Sequence, residues 1–168
     1  MGAEWTGTVV AAALAAAAAR SDMETGKIYN AHVVPGLLFG LLLGYLRGDL
    51  YYCFISALMA GTGPFIFWLL GKAGGGDFKI ALALGALVGA HVGIFAFIFA
   101  WLIAFVVYMV KHLAEGSAGH WLSENFYVML SFFNKTGYNR DAGEEVCFGV
   151  YLFYGLFLAE IFVKVVGN

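Results

Sequence analysis

Two carboxylates stand apart in this chain. Asp22 falls in "AARSDMETGKIYNAHVVPG" and Asp77 in "LLGKAGGGDFKIALALG", each at the edge of a long apolar run. Ionisable groups near hydrocarbon are costly to bury, so each needs a partner, water or a function. Two carboxylates brought together can share one proton, because like charges in contact cannot both ionise. One then takes a proton from water while the other gives one to a carbonyl oxygen, which is the chemistry of carboxylate-catalysed amide hydrolysis. Plainer roles are open to each residue alone. Asp22 can be a solvated loop group or a helix cap. Asp77 can serve the start of the following helix, where the dipole favours an anion, or balance Lys79. Gly74, Gly75 and Gly76, just before Asp77, supply backbone that can be extended, strained or closely approached. Such a break near membrane depth is tolerated where protein protects it or where it lines a wet cavity. Its free N–H and C=O groups can also hold an extended peptide.

The elements that must position these groups are membrane helices. Of the 168 residues 62% are hydrophobic and 12% charged, with a mean hydropathy of +0.84. A soluble domain carries about 25% charged residues, so this chain has too few to cover a water-facing surface. The apolar runs predict an all-α, polytopic transmembrane bundle of about six helices, near 4–20, 33–47, 50–70, 78–91, 93–111 and 146–166. The run from Ile80 to Val110 is too long for one span without steep tilt. The small residues of "GALVGAHVG" (Gly85–Gly93) divide it. Glu4 before the first apolar run and Arg20 after it reverse the charge order of a secretory signal, so that run is read as a retained helix. Residues 1–168 form a single membrane domain, in which 111–145 is a cytoplasmic or interfacial loop with interleaved aromatics.

Basic residues set the orientation. With the N-terminus outside, Arg20, Lys27, Lys72, Lys79, Lys111, Lys135 and Arg140 fall on the cytoplasmic side, against Arg47 and Lys164 outside. Both aspartates then share the cytoplasmic boundary of a multi-pass protein of the cell membrane. A net charge of −2 gives no reason to expect nucleic acid. With four His, two Cys, no CxxC and no HExxH, neither a metal nor another cofactor is expected. Cys53 and Cys147 read as small buried hydrophobes. "GLLLG" (Gly40–Gly44) has the small-xxx-small spacing of a helix-packing face.

The segment "GGGD" at Gly74–Asp77, followed by Lys79 and "IALALGALVG", resembles the GxGD motif of type IV prepilin peptidases. "SDMETGKIYN" (Ser21–Asn30) resembles that family's first aspartate segment, with Ile28 and Asn30 matching and Tyr29 in place of proline. "VCFGVYLFYG" (Val146–Gly155) is similar to its C-terminal motif at Phe148, Gly149, Leu152 and Gly155, while Cys147 and Val150 replace prolines. The resemblance implies a membrane aspartyl endopeptidase that removes the leader of prepilin-like or preflagellin-like precursors. It implies Asp22 and Asp77 as the catalytic pair. It further points to Gly74, Gly75, Gly76, Lys79 and Asn30 as substrate-binding or loop-shaping residues. The short form of the family lacks the CxxC-bearing domain associated with N-methylation. Rival readings are a proton-coupled transporter using the same aspartates, a non-catalytic assembly subunit, and a GxGD protease with other membrane substrates. The transporter predicts carboxylates nearer the bilayer midplane and an inverted repeat.

Overall fold

Glycine and polar breaks cut the apolar sequence into helices, six of them among the described residues, each overlapping a stretch predicted to be helical. The computed structural model describes residues 2–69, 74–117, 119 and 148–166. They form α1 (Gly2–Thr25), α2 (Asn30–Arg47), α3 (Leu50–Leu69), α4 (Gly75–Val88), α5 (Ala90–Ala114) and α6 (Phe148–Val166). Most of the predicted 111–145 loop, with Lys72 and Cys147, lies outside the described residues; Lys111 itself still belongs to α5.

Two boundaries moved in ways that matter. The first helix runs on to Thr25, so Asp22 sits inside its last turn and not in a loop beyond it. The long apolar run breaks at Gly89, within the quoted small-residue stretch, where φ is +87°. Only glycine takes that conformation readily, and its N–H closes α4 on the Gly85 carbonyl at 3.0 Å. The chain reverses there, because Gly93 of α5 packs back on Gly85 of α4.

Three helices, α3, α5 and α6, are long and apolar enough to cross a membrane. The large hydrophobics exposed on them, such as Phe54, Trp101, Phe105, Phe157 and Ile161, suit a surface facing lipid. The fourth helix is different. At 14 residues it is about 21 Å long, shorter than a hydrocarbon core. It buries Ile80, Ala81, Ala83, Leu84, Gly85, Ala86 and Leu87, and is packed by α1, α2, α3 and α5. A short helix enclosed by longer ones can begin below the membrane surface, and its N-terminus carries Asp77.

Small residues let these helices approach closely. Gly36, Gly40 and Gly44 form the buried stripe of α2, and a Cβ on Gly40 would lie 2.9 Å from Ala86 Cβ of α4. The predicted packing role of "GLLLG" is therefore met. Gly85 is tighter still: its Cβ would fall 2.5 Å from the Ser56 carbonyl oxygen and 2.9 Å from Ala57 Cα. Backbone cannot yield there as a side chain can. Gly85→Val is expected to cost about 1–3 kcal/mol or more by overpacking, read as a lowered thermal midpoint in detergent. Gly63→Ala, on the facing helix α3 and with nothing described within 4 Å, should leave the midpoint unchanged or slightly raised.

Candidate active site

Asp22 is buried at 6% exposure, in the last turn of α1. The local sequence explains how that turn closes. Thr25 Oγ1 donates back to the Ser21 carbonyl at 2.7 Å, and Ser21 Oγ donates to the Lys27 carbonyl at 2.7 Å. Gly26, at φ +65°, donates its N–H to the Asp22 carbonyl at 2.8 Å and turns the chain. The connecting segment of residues 27–29 is thereby brought against α4, where Ile28 meets Gly76. The Asp22 carboxylate in turn accepts the Gly149 N–H of α6 through Oδ2 at 2.7 Å. Gly149 lies in the first turn of α6, where amide groups have no intrahelical acceptor and the dipole favours a negative charge.

Asp77 occupies the first turn of α4 and is half-buried. Its Oδ2 accepts the Gly74 N–H at 3.0 Å, while its own N–H donates to the Gly74 carbonyl at 3.2 Å. This reciprocal pair caps the helix and fixes the carboxylate's direction. Capping and chemistry are compatible, since the bond leaves the group at the helix end.

The three glycines act otherwise than as an irregular loop. Gly74 is extended (φ −73°, ψ 147°), a conformation open to any residue, and Gly75 and Gly76 are already helical. What they provide is closeness. A Cβ on Gly76 would lie 2.9 Å from Ile28 Cβ, and one on Gly75 would lie 3.3 Å from Trp68 Nε1. Of the three uses open to glycine, close approach is the one realised.

Asn30 and Lys79 are brought together directly. Lys79 Nζ donates to Asn30 Oδ1 at 2.9 Å, joining the start of α4 to the start of α2. Asn30 Oδ1 receives the lysine, and Tyr29 takes the N-cap position of α2 without a side-chain cap bond. The C-terminal ends of α1 and α3 and the N-terminal ends of α2, α4 and α6 thus gather at one end of the bundle. All the residues singled out for chemistry stand on them.

An apolar groove of about 430 Å³ runs between α1 and α2, lined by residues including Ala13, Ala17, Pro35 and Phe39. It contains neither aspartate. Among the described residues no three His, Cys, Asp or Glu are grouped to hold a metal ion. The Gly149 amide was not foreseen as a contributor, although its residue was noted as a motif match. Nothing in a spacing of 127 residues signals that contact.

A model of the type IV leader peptidase family matches residues 9–110, which include both aspartates, the glycines, Asn30 and Lys79. The chain belongs to the type IV leader peptidase family. No curated protein matches the chain, and no solved structure does. Membership makes it a protease of leader-peptidase type, and its apolar helices make it a membrane protein. The matched region ends before α6, so the contact between Gly149 and Asp22 is made from outside it.

Proposed function

We propose that this leader peptidase is an aspartyl endopeptidase and that Asp22 and Asp77 are its catalytic pair. It would remove the N-terminal leader of a type IV pilin-like or archaellin-like precursor at the cytoplasmic face of the cell membrane. The observation that carries this reading is the meeting of two separate aspartate-bearing helix ends. The end of α1 and the start of α4 are tied by Ile28 against Gly76 and by Asn30 to Lys79.

In the reaction one carboxylate takes a proton from water as its oxygen attacks the scissile carbonyl carbon. The other carboxylic acid gives its proton to the carbonyl oxygen. Collapse of the tetrahedral intermediate breaks the C–N bond, and the proton taken from water passes to the leaving nitrogen. Resemblance to prepilin peptidases implies a substrate with a short basic leader, a small residue at the cut and a hydrophobic helix after it. That helix would lie in the bilayer against the enzyme, presenting the cut at the bundle end.

Orientation is supported by charge. Arg20, Lys27, Lys79 and Lys111 stand at or beyond the end that carries the aspartates, while Arg47 and Lys164 close helices that run away from it. The positive-inside bias supports a cytoplasmic side for the aspartates. A transporter reading fares worse, because Asp22 and Asp77 lie in terminal turns and not at helix centres. With two cysteines and no CxxC, the chain is proposed to act without N-methylation. The test is to incubate membranes carrying the protein with a full-length prepilin or pre-archaellin and to sequence the product. Cleavage between leader and hydrophobic helix is expected for at least one of them; precursors of both classes left intact would sink the assignment.

A further inference from the structure

We propose that the backbone amide of Gly149 is a positioning group for Asp22, so that α6 completes the active site although it shares no sequence segment with the aspartates. This rests on the peptidase reading above.

The geometry is specific. The bond from Gly149 N to Asp22 Oδ2 is short, at 2.7 Å, and buried. It comes from the second residue of α6 as described, and the amides of a helix's first turn are the ones left over for side-chain acceptors. A bond to the carboxylate from a rigid helix end fixes the rotation of the group about its Cβ–Cγ axis.

Residue 149 must also be glycine for the amide to arrive. A Cβ there would lie 3.1 Å from Ala19 Cα, 3.1 Å from Asp22 Cβ and 3.2 Å from the Ala18 carbonyl oxygen. Two of these are backbone atoms of α1, and Ala18 and Ala19 are themselves small and buried. The two helices therefore touch at their backbones beside the carboxylate.

Farther along α6, Leu152 is 1% exposed, and Gly155 packs on the Ala96 carbonyl of α5, with its Cβ position 2.8 Å from Ala100 N. At the opposite end Thr8 Oγ1 donates to Glu160 Oε1 at 2.9 Å. These contacts fix the height and rotation of α6, and hence the aim of its first amide. An enzyme that holds a reacting group within a fraction of an ångström gains rate without tightening substrate binding.

The test removes the N–H without adding a side chain, at the cost only of a weaker acceptor at the Phe148 carbonyl. Glycolic acid replaces Gly149 by nonsense suppression in cell-free translation into lipid nanodiscs, converting the amide to an ester without added bulk. Gly155→Ala serves as a variant that disturbs α6 packing away from Asp22. The expected result is a fall in kcat of about tenfold with KM within about twofold, and a thermal midpoint close to wild type. The Asp22 carboxylate band in isotope-edited infrared spectra, identified by its loss in Asp22→Asn, should shift in the ester protein.

Two results overturn the positioning role: an ester protein with wild-type kcat, or one whose kcat, KM and midpoint all worsen together as in Gly155→Ala. A wild type that cuts no precursor overturns the peptidase reading instead. In that case an unshifted band would also end the claim that the amide holds Asp22.

Discussion

Asp22→Asn and Asp77→Asn are each expected to lower the rate of precursor cleavage by between about a hundredfold and ten-thousandfold, the range in which general acid–base groups act. The substitution is chosen for what it keeps. Asparagine has the shape of aspartate and retains an oxygen acceptor, so the Gly149 N–H at position 22 and the Gly74 N–H at position 77 stay paired. The fold should hold and thermal midpoints should move little. What is lost is the ability to take up or release a proton, which an amide lacks near neutral pH. Asp22→Ala is a poorer probe because it leaves a buried amide without its acceptor, at a cost of about 1–3 kcal/mol. Its inactivity would mix chemistry with stability. Membranes with equal amounts of each folded Asn variant, assayed on the same precursor, separate the two. Undiminished cleavage by both would remove the aspartyl mechanism altogether, and loss in only one would show that the pair does not act as a pair.

That both residues could be found in the sequence follows from where they lie. A carboxylate at the edge of an apolar run is conspicuous, and the motif around Asp77 needs only adjacent residues. The six helices were legible for the same reason, since composition and glycine breaks are local. The break between the fourth and fifth helices was legible only as far as the small residues of Gly85–Gly93; the observed break at Gly89 comes three residues before the expected one, where the positive φ falls. What escaped was what depends on tertiary contact. Arg20, Ser21 and Asp22 read as the polar end of a helix, yet α1 continues because α6 covers Asp22 and Thr25 bonds back to Ser21. Asn30 and Lys79 were singled out separately, and nothing local shows that the two bond across 49 residues. The glycines before Asp77 looked like a flexible loop because three in a row usually are one. Their helical state is set by the Asp77 cap and by the neighbours that crowd them.

This last difference makes the glycines unequal, and the inequality can be measured. If they served as flexible backbone, alanine at any of them would cost about the same. The contacts give a steep order instead. At Gly74 the nearest described atom to a Cβ would be Asp77 Oδ2, at an ordinary 3.4 Å, and the extended backbone accepts any residue. Gly74→Ala should therefore retain activity within a few-fold. At Gly75 the neighbour is Trp68 Nε1 at 3.3 Å, on an exposed side chain that can yield. At Gly76 the neighbour is Ile28 Cβ at 2.9 Å, an atom fixed to the backbone of the turn that leads from Asp22. Adding a side chain there must push α4 away from residues 26–29 and separate the two aspartate-bearing segments. A displacement of about 1 Å at such a site can cost about a hundredfold, and Gly76→Leu should reach at least that loss while Gly76→Ala falls short of it. The compensating change identifies the cause. Ile28→Gly removes the opposing atoms, so it should restore much of the activity of Gly76→Ala, while it cannot help Gly75→Ala. Rescue of one and not the other in cleavage assays at matched protein levels would establish steric closeness as the purpose of Gly76. Equal losses at all three glycines, with no rescue, would return them to the role of a flexible loop.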